Sequence, residues 1–150
     1  MSRIRDQIKY HEGVEHKIYL DTEGLPTVGV GHLILKTDPE YELEVGTYID
    51  EERVNELFEQ DLEVCISELD KNIKWWKDLD EVRQRCLIDL TFNLGMPRLK
   101  KFKKTLDHLQ HKRYEEASVE LLDSRYARQV GKRANRISEM IRTGEDTKDF

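Results

Sequence analysis

The stretch from His11 to His32 most restricts what this chain can fold into, because within it a helix must end and a hairpin must turn and return. Ser2 is a suitable N-cap and Ile4 and Ile8 lie one turn apart, while Gly13 is the residue type that ends helices in a left-handed conformation. The spacing predicts a helix ending at Glu12. The last free carbonyls there carry partial negative charge and disfavour an ionised carboxylate, which is the setting a general acid needs. Lys17 to Leu20 reads as a strand, Asp21-Thr22-Glu23-Gly24 as a tight turn, and Leu25 to Gly31 as a returning strand. Leu33-Ile34-Leu35 reads as a third. A helix thus hands one carboxyl, Glu12, to a hairpin that carries a second, Asp21, and a hydroxyl, Thr27. Gly29 and Gly31 keep the strand bare, so that a sugar or another backbone can come close.

Downstream, Thr37 to Gly46 is acidic and irregular, with Asp38-Pro39 marking a turn or helix start. Asp50 is a clear N-cap, and Val54, Leu57, Phe58, Leu62, Cys65, Ile66 and Leu69 repeat at helical spacing over about residues 51–70. Such a helix is roughly 30 Å long. Trp75-Trp76 falls in a connector, where core packing between lobes outweighs stacking on a sugar. Asp80 caps a helix that Gly95 ends, its apolar residues on two sides making it the most buried of all. In Arg98-Leu-Lys-Lys-Phe-Lys-Lys104 the aromatic within a basic run invites a nucleic-acid reading. Leu99 and Phe102 at i,i+3 instead fit one buried face of a short helix with its lysines in water. Three further helical patterns follow, around Leu106 and Leu109, Tyr114 to Leu122 and Ser124 to Val130, and Lys132 to Arg142 forms the last helix, closed by Gly144. The tail from Thr147 to Phe150 is expected to fray.

Several function classes drop out. His11-Glu-Gly-Val-Glu-His16 misses the zinc motif, since its second His is at i+5 beyond a helix-breaking glycine. Gly29-Val-Gly31 lacks the third glycine of a dinucleotide fingerprint, because position 34 is Ile. Cys65 and Cys86 are too few for a disulfide scaffold and read as buried free thiols. The N-terminus lacks the apolar run of a signal peptide, so the chain is expected to be made in a cytoplasm. Charge is uneven: residues 1–70 carry 6 Lys/Arg against 18 Asp/Glu, and residues 71–150 carry 19 against 13. The basic half either steers the chain toward an anionic surface or is a solvated face.

Glu12, eight residues, Asp21, five residues, Thr27 and then Val-Gly-Val-Gly-His resembles the catalytic signature of the T-even bacteriophage lysozymes, glycoside hydrolase family 24. The run Asp50 to Asp61, Phe92-Asn-Leu-Gly95 and Arg133-Ala-Asn-Arg136 follow in that family's order. The resemblance implies an α+β, mainly α, lysozyme-like fold as one domain over residues 1–150. Its N-terminal lobe (about 13–50) would hold a three-stranded antiparallel sheet, and a linking helix (about 51–70) would lead to a helical C-terminal lobe (about 71–150) packed with helix 1–12.

The implied function is that of a muramidase cutting the β-1,4 link between N-acetylmuramic acid and N-acetylglucosamine in peptidoglycan, with inversion. Glu12 would be the general acid, and Asp21 and Thr27 would hold the water. By the same resemblance His32 pairs with Asp61, and Leu33, Phe92, Thr105 and Glu120 occupy saccharide-contact positions, Glu120 in place of a neutral asparagine, while core packing is an equally good reading of Phe92. Asn93 matches a polar glutamine position, and Arg133 matches the arginine that pairs with the catalytic glutamate. No metal, cofactor or nucleic acid is implied. The expected protein is a monomer that stays in the host cytoplasm until a holin releases it to the periplasm and cell wall. A lytic transglycosylase and a non-catalytic peptidoglycan-binding or virion-associated protein are the alternatives.

Overall fold

Helix α1 (Arg3–Glu12) stops at Gly13, whose φ of 75° suits a residue without Cβ and whose N–H donates to Lys9 O at 2.8 Å. The computed structural model describes residues 1–147, so the expectation for the tail past Thr147 lies outside the described residues. The chain is mainly helical with one small antiparallel sheet, the α+β architecture expected. It divides into two compact units, Arg5–Val64 and Met1–Ile4 together with the residues from Cys65 onward.

In the first unit, strands β1 (Glu15–Leu20), β2 (Pro26–Gly29) and β3 (His32–Leu33) pair in that order. Tyr19 lies opposite Thr27 and Leu20 opposite Pro26, and β1 bulges between Glu15 and Tyr19. The other edge of β1 is covered by residues 46–49, through Ile18 N–H to Thr47 O (3.0 Å), Gly46 N–H to Ile18 O (2.8 Å) and Ile49 N–H to His16 O (2.7 Å). That contact blunts an edge that would otherwise be free to pair. Helix α2 (Glu51–Asn72) starts in this unit, and Asp50 caps it by accepting from Arg53 N–H at 2.9 Å. Its Val54 and Leu57 pack with Ile18, Val28, Ile34 and Ile49 as the core of the unit.

Two expectations change here. The third strand covers His32–Leu33 and does not reach Leu35, because the N–H of Leu35 goes to the Asp38 carboxylate (2.8 Å) and its carbonyl to Asp38 N–H (2.9 Å). A local turn has captured the groups a ladder would use. Nor is Gly29 bare for a sugar or a backbone: a Cβ there would lie 3.0 Å from Cγ1 of Val54, so the glycine admits the side chain of α2. The acidic 37–46 stretch forms one helical turn over Pro39–Glu42, and Arg53 grips Glu40 through two hydrogen bonds of 2.9 and 3.0 Å. That guanidinium holds the buried Glu40 carboxyl below the usual carboxylate range.

In the second unit, α3 (Glu81–Leu94) is nearly enclosed, and α4 (Met96–Leu99), α5 (Lys103–Gln110), α6 (Tyr114–Leu122), α7 (Arg125–Val130) and α8 (Lys132–Thr143) follow. Asp80 caps α3 through Arg83 N–H (3.2 Å), and Arg83 then reaches the carbonyl end of α8, donating to Ile141 O (2.7 Å) and Arg142 O (3.2 Å). A cation is well placed at a helix C-terminus. The basic run does not form the single short helix expected. Leu99 ends α4, Lys101 and Phe102 turn back onto Arg98 O and Leu99 O, and Phe102 precedes α5 only half-buried. Cys65 and Cys86 are buried and neither forms a disulfide, and burial pushes the Cys86 thiol far up, which leaves it unreactive. Trp76 is buried with its indole N–H on Asp70 (2.9 Å), while Trp75 is half-buried.

Candidate active site

Glu12 is the last residue of α1, half-buried, and its carboxyl lies directly against Gly31. A Cβ at Gly31 would sit 2.6 Å from Glu12 Oε1, and the backbone there has φ 64°. Gly31 is therefore glycine for two reasons, its left-handed turn and the carboxyl that fills its side-chain space. The correction made for Gly29 applies again, since a catalytic-type side chain occupies the space expected to admit a sugar.

Asp21 and Thr27 are registered to each other through one residue, Leu25. The Asp21 backbone N–H donates to Leu25 O at 2.9 Å, the Thr27 hydroxyl donates to the same oxygen at 3.0 Å, and Asp21 Oδ1 accepts from Leu25 N–H at 2.9 Å and from Glu23 N–H at 2.8 Å. This arrangement allocates the remaining atoms. Among the described residues Asp21 Oδ2 accepts no hydrogen bond, and the only hydrogen of Thr27 Oγ1 is spent on Leu25, so both oxygens, that of Thr27 buried, keep acceptor capacity. A water at either oxygen donates to it and keeps its lone pairs for whatever lies beyond.

Beside Glu12 the surface is hollowed by a cavity of about 260 Å³ lined by Glu12, Gly13, Val14, Glu15, Tyr19 and Gly29. Burial, and then the carboxylates of Glu12, Asp21 and Glu15, push the Tyr19 phenol above its ordinary pKa, so its hydroxyl is a firm donor among three acids. Sequence reasoning passed over Tyr19. The signal was available, since a two-residue strand period from Asp21 places Tyr19 on the face shared with Thr27, and the two are cross-strand partners.

His32 is buried, with Nδ1 2.7 Å from Asp61 Oδ2 and Nε2 2.8 Å from Asp38 Oδ2. Asp61 is the partner named from the sequence, and Asp38 was not foreseen. Carboxylates only accept, so both ring nitrogens donate and the ring is the imidazolium. Burial works against that charge, but the hydrogen bonds to Asp61 and Asp38 outweigh it and His32 titrates above its usual range. For Asp38, burial is outweighed by the Leu35 N–H, His32 and Arg53, and its carboxyl is held low. The His32 contribution to stability is then complete below the unfolded imidazole value of about 6.5 and is lost as pH rises through the higher folded value. The Asp38 contribution is present above the unfolded carboxylate value and lost as pH falls through its lower folded one.

In an NMR titration Asp61→Asn is expected to lower the His32 pKa, and Asp38→Asn with Asp61→Asn to drop it below the free value, because burial alone remains. Asp61→Asn should also cost about 1.5–3 kcal/mol in thermal unfolding. A His32 titration unchanged by Asp61→Asn would contradict the clamp.

Leu33 is exposed on β3 opposite Thr27. The other named residues belong to the second unit. There Phe92 on α3 and Glu120 on α6 are half-buried, and Thr105 on α5 is buried. Next to Phe92, Asn93 Oδ1 is shielded from solvent with no hydrogen-bond partner among the described residues, an acceptor that an incoming N–H can satisfy. Arg133 at the start of α8 donates to Asp89 Oδ1 from Nε (3.1 Å) and Nη2 (2.6 Å). Asp89 is fully buried within the apolar α3, and nothing in the helical pattern marked it as a counter-ion.

The phage lysozyme family model matches residues 9–140. Two probable T4-type lysozymes of Dictyostelium discoideum, numbered 2 and 1, are 32% and 31% identical to this chain over 96% of it and 96% of their own length. The pre-baseplate central spike protein Gp5 of Enterobacteria phage T4 is 27% identical over 94% of this chain and 28% of that protein.

Proposed function

This chain belongs to the phage lysozyme family, and from that premise we propose that it is a glycoside hydrolase that cuts the β-1,4 bond between N-acetylmuramic acid and N-acetylglucosamine in peptidoglycan. The observation that carries this reading is the allocation of hydrogen bonds in the hairpin, which leaves Asp21 Oδ2 and Thr27 Oγ1 as two acceptors in the same unit as Glu12. Cleavage passes through an oxocarbenium-like transition state, and so needs a proton on the leaving oxygen and a nucleophile or negative charge at the opposite face.

Glu12 gives its proton to the glycosidic oxygen, and the bond from that oxygen to the anomeric carbon breaks. Water held by Asp21 and Thr27 attacks that carbon and passes its proton to Asp21. Proton exchange with solvent then restores both carboxyls. A water between base and sugar gives inversion, whereas direct attack by Asp21 would give retention. Tyr19 adds a fixed donor beside Glu12. Leu33, Phe92, Thr105 and Glu120 are assigned as saccharide contacts, and Arg133 as support for the rotamer of the acid, on the resemblance alone. The biological role that fits is lysis of a bacterial host, with release from the cytoplasm through a holin.

Mass spectrometry of digested peptidoglycan is expected to show reducing muramic acid ends, and proton NMR of a defined oligosaccharide to show the α anomer first. Anhydro-muramic acid ends would make the protein a transglycosylase, and initial β product would give Asp21 the role of nucleophile.

A further inference from the structure

Five cations, Arg98, Lys100, Lys101, Lys103 and Lys104, crowd the exposed turn between α4 and α5. In a chain with 31 Asp and Glu, none of the five has an ion-pair partner among the described residues. Arg83, Arg85, Arg113 and Arg133 of the same unit are all paired, with Asp80, Asp146, Asp107 and Asp89. Uncompensated charge this dense repels itself, and an anionic ligand relieves it.

Beside the turn lies a hollow of about 300 Å³ whose apolar wall is Ile73, Trp75 and Leu106 and whose polar rim includes Lys100, Lys103 and Gln110. Asp107 also borders it, but its carboxylate is taken by Arg113 at 2.7 Å and lies 3.3 Å from His111, so it leaves the two lysines uncompensated. Unlike the buried Trp76, Trp75 is half-exposed, and its indole N–H has no partner among the described residues. An aromatic face with an unused N–H next to two unpaired ammoniums suits a ring that is apolar on one side, hydroxylated at its edge and charged at one corner.

We propose that this hollow is a second saccharide site, which seats an acidic pyranose of a glycan with its ring on Trp75 and its carboxylate between Lys100 and Lys103. A glycan with one carboxylate per disaccharide is favoured over nucleic acid, because nucleic acid carries a charge about every 1.7 Å along a duplex and the chain as a whole is at −6. The site uses none of Glu12, Asp21 and Thr27, so it stands or falls separately from cleavage. Its effect is to hold the protein on an acidic polymer.

The test is NMR titration of the full chain carrying Glu12→Gln, which keeps glycans intact. The probes are peptide-free glycan strands containing muramic acid, an oligoglucuronate, neutral chitohexaose and a single-stranded oligonucleotide. The chain has two tryptophans and hence two indole N–H signals, of which that of Trp75 should move and that of Trp76 stay. Binding of muramic acid strands alone or of both acidic glycans supports the site and identifies the source of the carboxylate. Lys100→Gln with Lys103→Gln, and separately Trp75→Ala, should each weaken it about tenfold, with Trp75→Phe retaining it and unfolding temperatures unchanged. Equal response to chitohexaose, indifference to the lysine changes, tighter binding of the oligonucleotide, or no Trp75 shift with either acidic glycan would overturn the proposal.

Discussion

Glu12→Gln is expected to lower the rate of peptidoglycan cleavage by about 10²–10⁴-fold with little change in unfolding temperature. Gln has the shape of Glu, so the space at Gly31 that the carboxyl fills is still filled. What is lost is the transferable proton. Asp21→Asn should fall by a similar factor for a different reason. The asparagine carbonyl can still accept from Glu23 and Leu25 N–H, so the turn is kept, but the group that replaces Oδ2 is an amide that donates, and it can neither orient the water nor take its proton. Turbidity clearing of permeabilised Gram-negative cells, with mass spectrometry of the fragments, measures both. Retention of activity by either variant would remove that residue from the mechanism. A wild type that sediments with the cell wall without cutting it would instead favour a binding protein.

Asp89→Ala is expected to cost about 3–5 kcal/mol, near 10 °C in unfolding temperature for a chain of this size. Asp89 has no exposed surface and Arg133 keeps only 8% of its own, so the guanidinium loses a buried counter-charge with little water to replace it. Asp89→Asn keeps an acceptor for the same donors and should cost less. Replacing the pair together, Asp89→Leu with Arg133→Met, should recover part of the loss, since neither charge of this pair is then left buried without the other. Thermal unfolding of the three variants checks the order. If Asp89→Ala were as stable as the wild type, the pair would not hold α3 to α8.

Much of this was legible in one dimension. Glycine at 13, aspartate at 50 and 80 and glycine at 95 and 144 are local signals, because a helix end depends on φ/ψ freedom and on one side-chain hydrogen bond within a few residues. The element order followed from such signals, whereas the Glu12, Asp21 and Thr27 set was assigned on the family resemblance that their spacing carries. The breaks came where a distant or competing group decides. β3 does not reach Leu35 because Asp38 takes that residue's N–H, and the basic run splits between α4 and α5 where a helical i,i+3 pattern was expected to continue.

The sequence by itself therefore determined where elements start and stop and which residue types stand ready for acid–base chemistry. The tertiary structure decided what each polar group is used for. It places Asp38 on the second nitrogen of His32, Asp89 on Arg133 and the carbonyl of Leu25 on the Thr27 hydroxyl. Periodicity reports which face of an element is buried, but a hydrogen bond needs a donor and an acceptor within about 3 Å at a suitable angle. Only the folded chain fixes that distance.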